Sequence, residues 1–142
     1  MFITSALGVA LLLAGCGGDD APTKAEYITK ADAICKKGDA ASQKDAQAKL
    51  SALGSSPTKE QVASVVSEIV LPNIESQLKE LRALDKPKGD GDTIDAIYDD
   101  LDAGLKRAKA DPAATVASTT SPFADATAKA RAYGMKDCGS DG

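Results

Sequence analysis

From Thr23 onward, apolar residues return every three or four positions and are interrupted by short clusters of Gly, Pro, Ser and Asp, a pattern of amphipathic helices separated by turns. Thr23-Lys24-Ala25-Glu26 has the spacing of a capping box, so a helix is predicted to start there and run to about Leu50. Tyr27, Ile28, Ala31, Ile34, Cys35, Gly38 and Ala41 form its apolar stripe. Gly54-Ser55-Ser56-Pro57 breaks the pattern, and Thr58 with Gln61 opens a second box. Val62, Val66, Ile69, Val70, Ile74, Leu78, Leu81 and Leu84 then share one drifting face. Pro72 among them forfeits a hydrogen bond to the preceding turn, which predicts one kinked helix rather than two.

Pro87, Gly89 and Gly91 mark a turn, after which Asp92 is placed to cap a third helix that turns Ile94, Ile97, Tyr98, Leu101, Leu105 and Ala108 inward. Asp111-Pro112 ends that helix or opens a short turn. Ser121-Pro122 has the order of an N-cap followed by proline at the first helical position, with Phe123, Ala126, Ala130 and Tyr133 inward and Gly134 as the stop. Sustained two-residue alternation is missing, so the expected fold is all-α, an antiparallel bundle of about four helices forming one domain over residues 23–142.

The first 22 residues read differently. Phe2 to Ala14 are apolar but too few to span a bilayer as a helix, and Leu13-Ala14-Gly15-Cys16 has the small residues and the cysteine of a lipoprotein cleavage site. Residues 1–15 are therefore expected to be a signal peptide cut between Gly15 and Cys16, with Cys16 taking acyl chains. Residues 16–22 are rich in Gly and Asp and read as a flexible tether. Met1 to Ser5 lack the usual Lys or Arg, a departure that a start codon placed too far downstream would explain. The expected location is extracytoplasmic, with the chain held to the cell membrane through its lipid.

Aromatic residues make up 4% of the 142, and Trp is missing, so the core has to be built chiefly from Ala, Val, Ile and Leu. A net charge of -4 with interspersed signs argues against a nucleic-acid partner, which needs a concentrated basic surface. Histidine is absent, removing the commonest general base and metal ligand. With Cys16 acylated, Cys35 and Cys138 remain as an even pair in an oxidising compartment, and a disulfide between them is predicted. A thiol or metal role for that pair lacks both a CxxC spacing and a histidine.

The segment Thr23-Lys24-Ala25-Glu26-Tyr27-Ile28-Thr29-Lys30-Ala31-Asp32-Ala33-Ile34-Cys35 resembles the N-terminal signature of small secreted or lipid-anchored actinobacterial proteins. Ala130-Arg131-Ala132-Tyr133-Gly134-Met135-Lys136-Asp137-Cys138-Gly139 is similar to their C-terminal counterpart. The resemblance implies export, helices and the cysteine pair, and brings no catalytic residue with it.

Other candidate chemistry is sparse. Asp92, Asp95, Asp99 and Asp102 lie at helical spacing and invite a Ca²⁺ reading, but a helix face presents ligands along a line, and Lys106 continues the stripe as a partner of Asp102. Asp90 between two glycines fits a turn, and Glu68, Glu75 and Glu80 fit a solvated face. The hydroxyls from Thr115 to Ser121 lack an activating base. An apolar groove beside Pro72 is the expected ligand site. No catalytic, cofactor-binding or metal residue is assigned. The sequence favours a noncatalytic envelope lipoprotein that binds an envelope protein or a small apolar ligand; a carboxylate- or metal-dependent cell-wall enzyme and a structural spacer remain alternatives.

Overall fold

A computed structural model describes residues 21–140, so the leader, Gly15 and Cys16 lie outside the described residues. Both capping boxes are present. Thr23 Oγ1 accepts from the Glu26 N–H at 3.3 Å while the Thr23 N–H donates to Glu26 Oε2 at 2.8 Å, opening α1 (Lys24–Ala52). Thr58 and Gln61 make the same reciprocal pair at 3.2 and 2.8 Å, opening α2 (Lys59–Val65).

The expected kinked helix is continuous from α2 to α3 (Leu71–Arg82) through one π-helical turn, Val66–Val70. The Leu71 N–H bonds Val66 O, five residues back. Pro72 has no N–H to give, and its ring would press on the carbonyl four residues earlier; widening the preceding turn makes room for it. The wider turn also rotates the buried face. Ala63 and Val65 are buried before it and Leu71, Gln77, Leu78 and Leu81 after it, while Val62, Val66, Ile69, Val70 and Ile74 are half-buried.

The third long helix, α4, spans Gly91–Ala110 and is preceded by Asp90 rather than capped by Asp92. Asp90 is engaged elsewhere: its Oδ2 accepts from the Tyr133 hydroxyl at 2.5 Å. Asp111-Pro112 opens a short helix of its own, α5 (Pro112–Ala117), because Asp111 Oδ1 accepts from the Ala114 N–H at 2.8 Å. α6 (Ala124–Tyr133) begins two residues later than the Ser121-Pro122 pair suggests, since Ser121 Oγ caps a local turn through the Phe123 N–H. Gly134 ends α6 at φ 110°, a backbone conformation that side chains with a Cβ rarely adopt.

Contacts between helices run in opposite numerical order, which fixes the antiparallel arrangement. Tyr27 reaches Tyr98 and through it Leu81, Asp39 meets Gln77, and Lys49 pairs with Glu68. Arg82 pairs with Asp99 and Lys109 with Glu75; Asp90 meets Tyr133 and Asp100 meets Lys129. α1, the α2–α3 rod, α4 and α6 thus form an up-down bundle, the all-α antiparallel fold expected from the sequence.

The three tyrosines gather at one end. Tyr98 donates to Leu81 O at 2.9 Å and its hydroxyl pairs with that of Tyr27, while Tyr27 meets the edge of Tyr133 with ring centroids 6.1 Å apart. Each buried hydroxyl thereby has a partner, and Leu81 O, which also accepts from the Leu84 N–H at 3.1 Å, gains a second donor. Lys24 Nζ lies 4.1 Å from the centre of the Tyr133 ring.

Beyond Gly134 the chain folds back onto α1. The Asp32 carboxylate accepts from three successive backbone N–H groups, those of Lys136, Asp137 and Cys138, at 2.9, 3.0 and 3.1 Å. One helical turn further along α1, Cys35 forms a disulfide with Cys138, with Cα atoms 5.2 Å apart. Met135 is buried between these attachments.

Candidate functional site

The tail turns a side of the bundle into a pocket. α6 rests on α4, α1 rests on the rod, and the strap from Met135 to Ser140 crosses from α6 to α1. Under the strap lies a pocket of about 190 Å³. Ile74, Leu81, Ile97, Leu101, Phe123 and Ala126 supply much of its apolar wall, Met135 and the disulfide close one side, and Tyr98 contributes its ring.

Polar groups are few and placed. Gln77 is 7% exposed, and its amide nitrogen donates to Asn73 Oδ1 at 2.7 Å and to Asp39 Oδ1 at 3.2 Å. Those bonds hold the Asp39 carboxylate at the pocket wall. Gly38 permits the arrangement, because a Cβ there would overlap the Gln77 carboxamide. Asp137, Thr127, Ser121 and Ser140 complete the polar part of the lining.

A groove does lie beside Pro72, as expected, but its rim is charged. It is open, and six of its lining residues are charged: Glu75, Lys79, Arg82, Asp102, Lys106 and Lys109. α3 and α4 face each other there through ion pairs, Lys109 with Glu75 at 2.7 Å and Arg82 with Asp99 at 3.7 Å. A second, half-enclosed apolar space lies beneath the strap.

Five of the eight carboxylates weighed from the sequence have basic partners, among them Glu75 with Lys109. Asp95 pairs with Lys86, Asp99 with Arg82 and Asp102 with Lys106 at 2.8 Å. Glu68 pairs with Lys49 at 3.3 Å and also accepts from Ser64 Oγ at 2.6 Å. The Ser64 hydroxyl and Lys49 hold the Glu68 carboxyl below its ordinary range, and Lys106 does the same for Asp102. Among the described residues, no three of His, Cys, Asp and Glu are grouped so as to hold a metal ion.

The tyrosines move the other way. Burial raises Tyr27 and Tyr98 above the ordinary phenol value, and the mutual hydrogen bond raises Tyr98 further. Burial followed by the Asp90 hydrogen bond and charge raises Tyr133.

Sequence reasoning placed Cys35 and Cys138 together, and the structure joins them. It did not find Asp32, Gln77 or Asp39. Asp32 had a usable signal: it lies three residues before Cys35, one turn away on the same side of α1, where a carboxylate can meet the chain that the cysteine tethers. Gln77 occupies an apolar position in the helical period after the π turn, a signal obscured because that turn shifts the period.

Fold and site together define a disulfide-clasped helical bundle with a half-enclosed apolar pocket. Compared with models of protein families, with curated proteins and with solved structures, the chain matches none. Its function is therefore argued from the pocket.

Proposed function

We propose that this chain is a noncatalytic envelope lipoprotein, anchored through acylated Cys16, whose bundle receives a small, largely apolar ligand in the pocket beneath the C-terminal strap. The observation that carries the reading is the pocket itself: about 190 Å³ of mostly apolar lining with a small set of placed polar groups, the composition of small-molecule sites. A close-packed spacer has no need of such a space, since interiors of bundles ordinarily fill to crystal density. The cell membrane is the partner through the lipid, in keeping with the apolar leader that ends at Gly15-Cys16 and with the resemblance to small lipid-anchored actinobacterial proteins.

The test is native mass spectrometry of the protein isolated from membranes without denaturation. A bound small-molecule adduct is expected on the wild type and is lost in Thr127→Phe, which fills the half-buried rim of the pocket. The same spectra read the chain from Cys16 onward with its acyl mass. Adduct-free wild type, or an adduct unaffected by Thr127→Phe, contradicts the ligand reading. An intact leader with unmodified Cys16 contradicts the anchor.

A further inference from the structure

We propose that the pocket selects an organic amine: an apolar body beneath the strap with a cationic head held by Asp39 and Asp137. The inference rests on the reading of this pocket as a ligand site and adds the chemistry of what enters it.

Charge carries the argument. Among the described residues that line the pocket, the charged ones are Asp39 and Asp137, and the lining contains no Lys or Arg. A ligand carboxylate or phosphate would enter against two negative charges without a basic partner. In a half-buried site that repulsion is screened less than at an open surface. A primary ammonium offers three donors to a wall whose side chains present carboxylate, amide and hydroxyl oxygens.

Geometry carries the rest. Asp39 is steadied by Gln77, which is 7% exposed and spends its amide N–H groups on Asn73 and Asp39. One carboxylate oxygen, Oδ1, accepts that bond, so the group is oriented while it keeps acceptor capacity for a ligand. Asp137 comes from a second element, the strap, whose backbone is fixed by Asp32 and whose neighbour Cys138 is bonded to α1. Two carboxylates on separate, anchored elements flank a wall made of Ile74, Leu81, Leu101 and Phe123. Such a site recognises a head and a body at once.

Isothermal titration calorimetry of the mature protein with three matched probes tests this: 2-phenylethylamine, 2-phenylethanol and 3-phenylpropanoate at neutral pH. The amine is expected to bind about tenfold more tightly than the alcohol, the scale of one charge-assisted hydrogen bond, and the carboxylate more weakly than either. Asp39→Asn keeps a side-chain oxygen for Gln77 while removing the charge. It and Asp137→Asn should each lower amine affinity about three- to tenfold and leave the alcohol unchanged. Unaltered thermal melts of both variants confirm that the bundle stands.

Equal binding of all three probes, or amine affinity indifferent to both substitutions, overturns the cationic head and leaves the pocket reading in place. Amine binding that survives Thr127→Phe places the amine elsewhere and also overturns it. Failure of every probe overturns the inference; the pocket reading is then decided separately by the adduct on membrane-derived protein.

Discussion

The two ends of the bundle are built differently although the sequence gives both helical stripes. At the strapped end Tyr27, Ala31 and Cys35 of α1 are buried against Leu78, Leu81, Ile94, Tyr98, Tyr133 and Met135. Toward the other end of α1, Ala41 is exposed, contrary to the sequence expectation, and Ser42, Ala46 and Leu50 are half-buried at best. The facing rod presents half-buried Val62, Val66 and Ile69, while its buried Ala63 and Val65 lie outside the core cluster of the strapped end. One end is closed by a covalent bond, a carboxylate clamp and a tyrosine network; the other is held by a shallow apolar contact and surface ion pairs. Cooperative stability is accordingly concentrated where the first turns of α1 meet the strap, and the pocket lies next to that region.

The difference can be broken most severely at the disulfide. Its partners are 103 residues apart, and in the chain-entropy model a closure of that length contributes up to ~4.7 kcal/mol. Cys35→Ser with Cys138→Ser should lower the urea midpoint by a corresponding amount. Amide exchange should rise first in residues 133–140, because the strap is the element released.

Next in size is Asp32→Ala. It strips three strap N–H groups of their acceptor and is expected to cost about 1–3 kcal/mol, since water reaches part of the strap and limits the penalty. Denaturant titration measures this, and in the oxidised protein the strap remains tethered but exchanges faster.

Tyr98→Phe leaves the Tyr27 hydroxyl short of a partner and removes one of the two donors to Leu81 O, a loss of about 1–2 kcal/mol. The tyrosines also set the alkaline limit. Their folded pKa values lie above the ordinary 10.0, so the folded chain holds these protons where the unfolded chain has released them. Their contribution is full below pH 10 and is lost as pH rises beyond it. Urea midpoints from pH 8 to 11 should fall on the alkaline side, with a shallower fall in Tyr98→Phe.

The smallest effect is expected at the open end. Leu50→Ala should cost less than about 1 kcal/mol because the side chain is half-buried, whereas truncation of buried Leu81 to Ala, at the strapped end, should cost about 2–5 kcal/mol. Comparable losses at Leu50 and Leu81 would abolish the distinction between the ends.

Much of the bundle was legible because its signals are local. Thr23 with Glu26, Thr58 with Gln61, and Gly134 each act within one turn, and each does what its residue type predicts. The cysteine pairing was legible by arithmetic. The π turn before Pro72 was not, since proline announces a lost hydrogen bond without saying whether the helix bends or widens. The start of α4 was misplaced by two residues because Asp90 and Asp92 are equally good caps in sequence; Tyr133, 43 positions away, takes the Asp90 carboxylate.

The pocket was the least legible feature. The groove expected beside Pro72 is lined by ion pairs, while the enclosed space depends on where the last residues of the chain fold back. Side-chain period along one helix carries no information about that return. The first turns of α1 and the last residues of the fold, both singled out in the sequence, meet in the clasp: Asp32 caps the strap, Cys35 bonds Cys138, and Tyr27 packs on Tyr133. Those motifs describe closure of the fold, which is why they suggest no chemistry.

Met135 permits the most direct test of a ligand beneath the strap. The sequence has two methionines, Met1 and Met135, and Met135 is 2% exposed in the pocket wall. In [¹³C-methyl]methionine-labelled mature protein, its single methyl resonance should move on addition of 2-phenylethylamine, and Thr127→Phe should suppress the movement. A resonance that stays fixed at saturating amine, alcohol and carboxylate alike would contradict the pocket as the binding site.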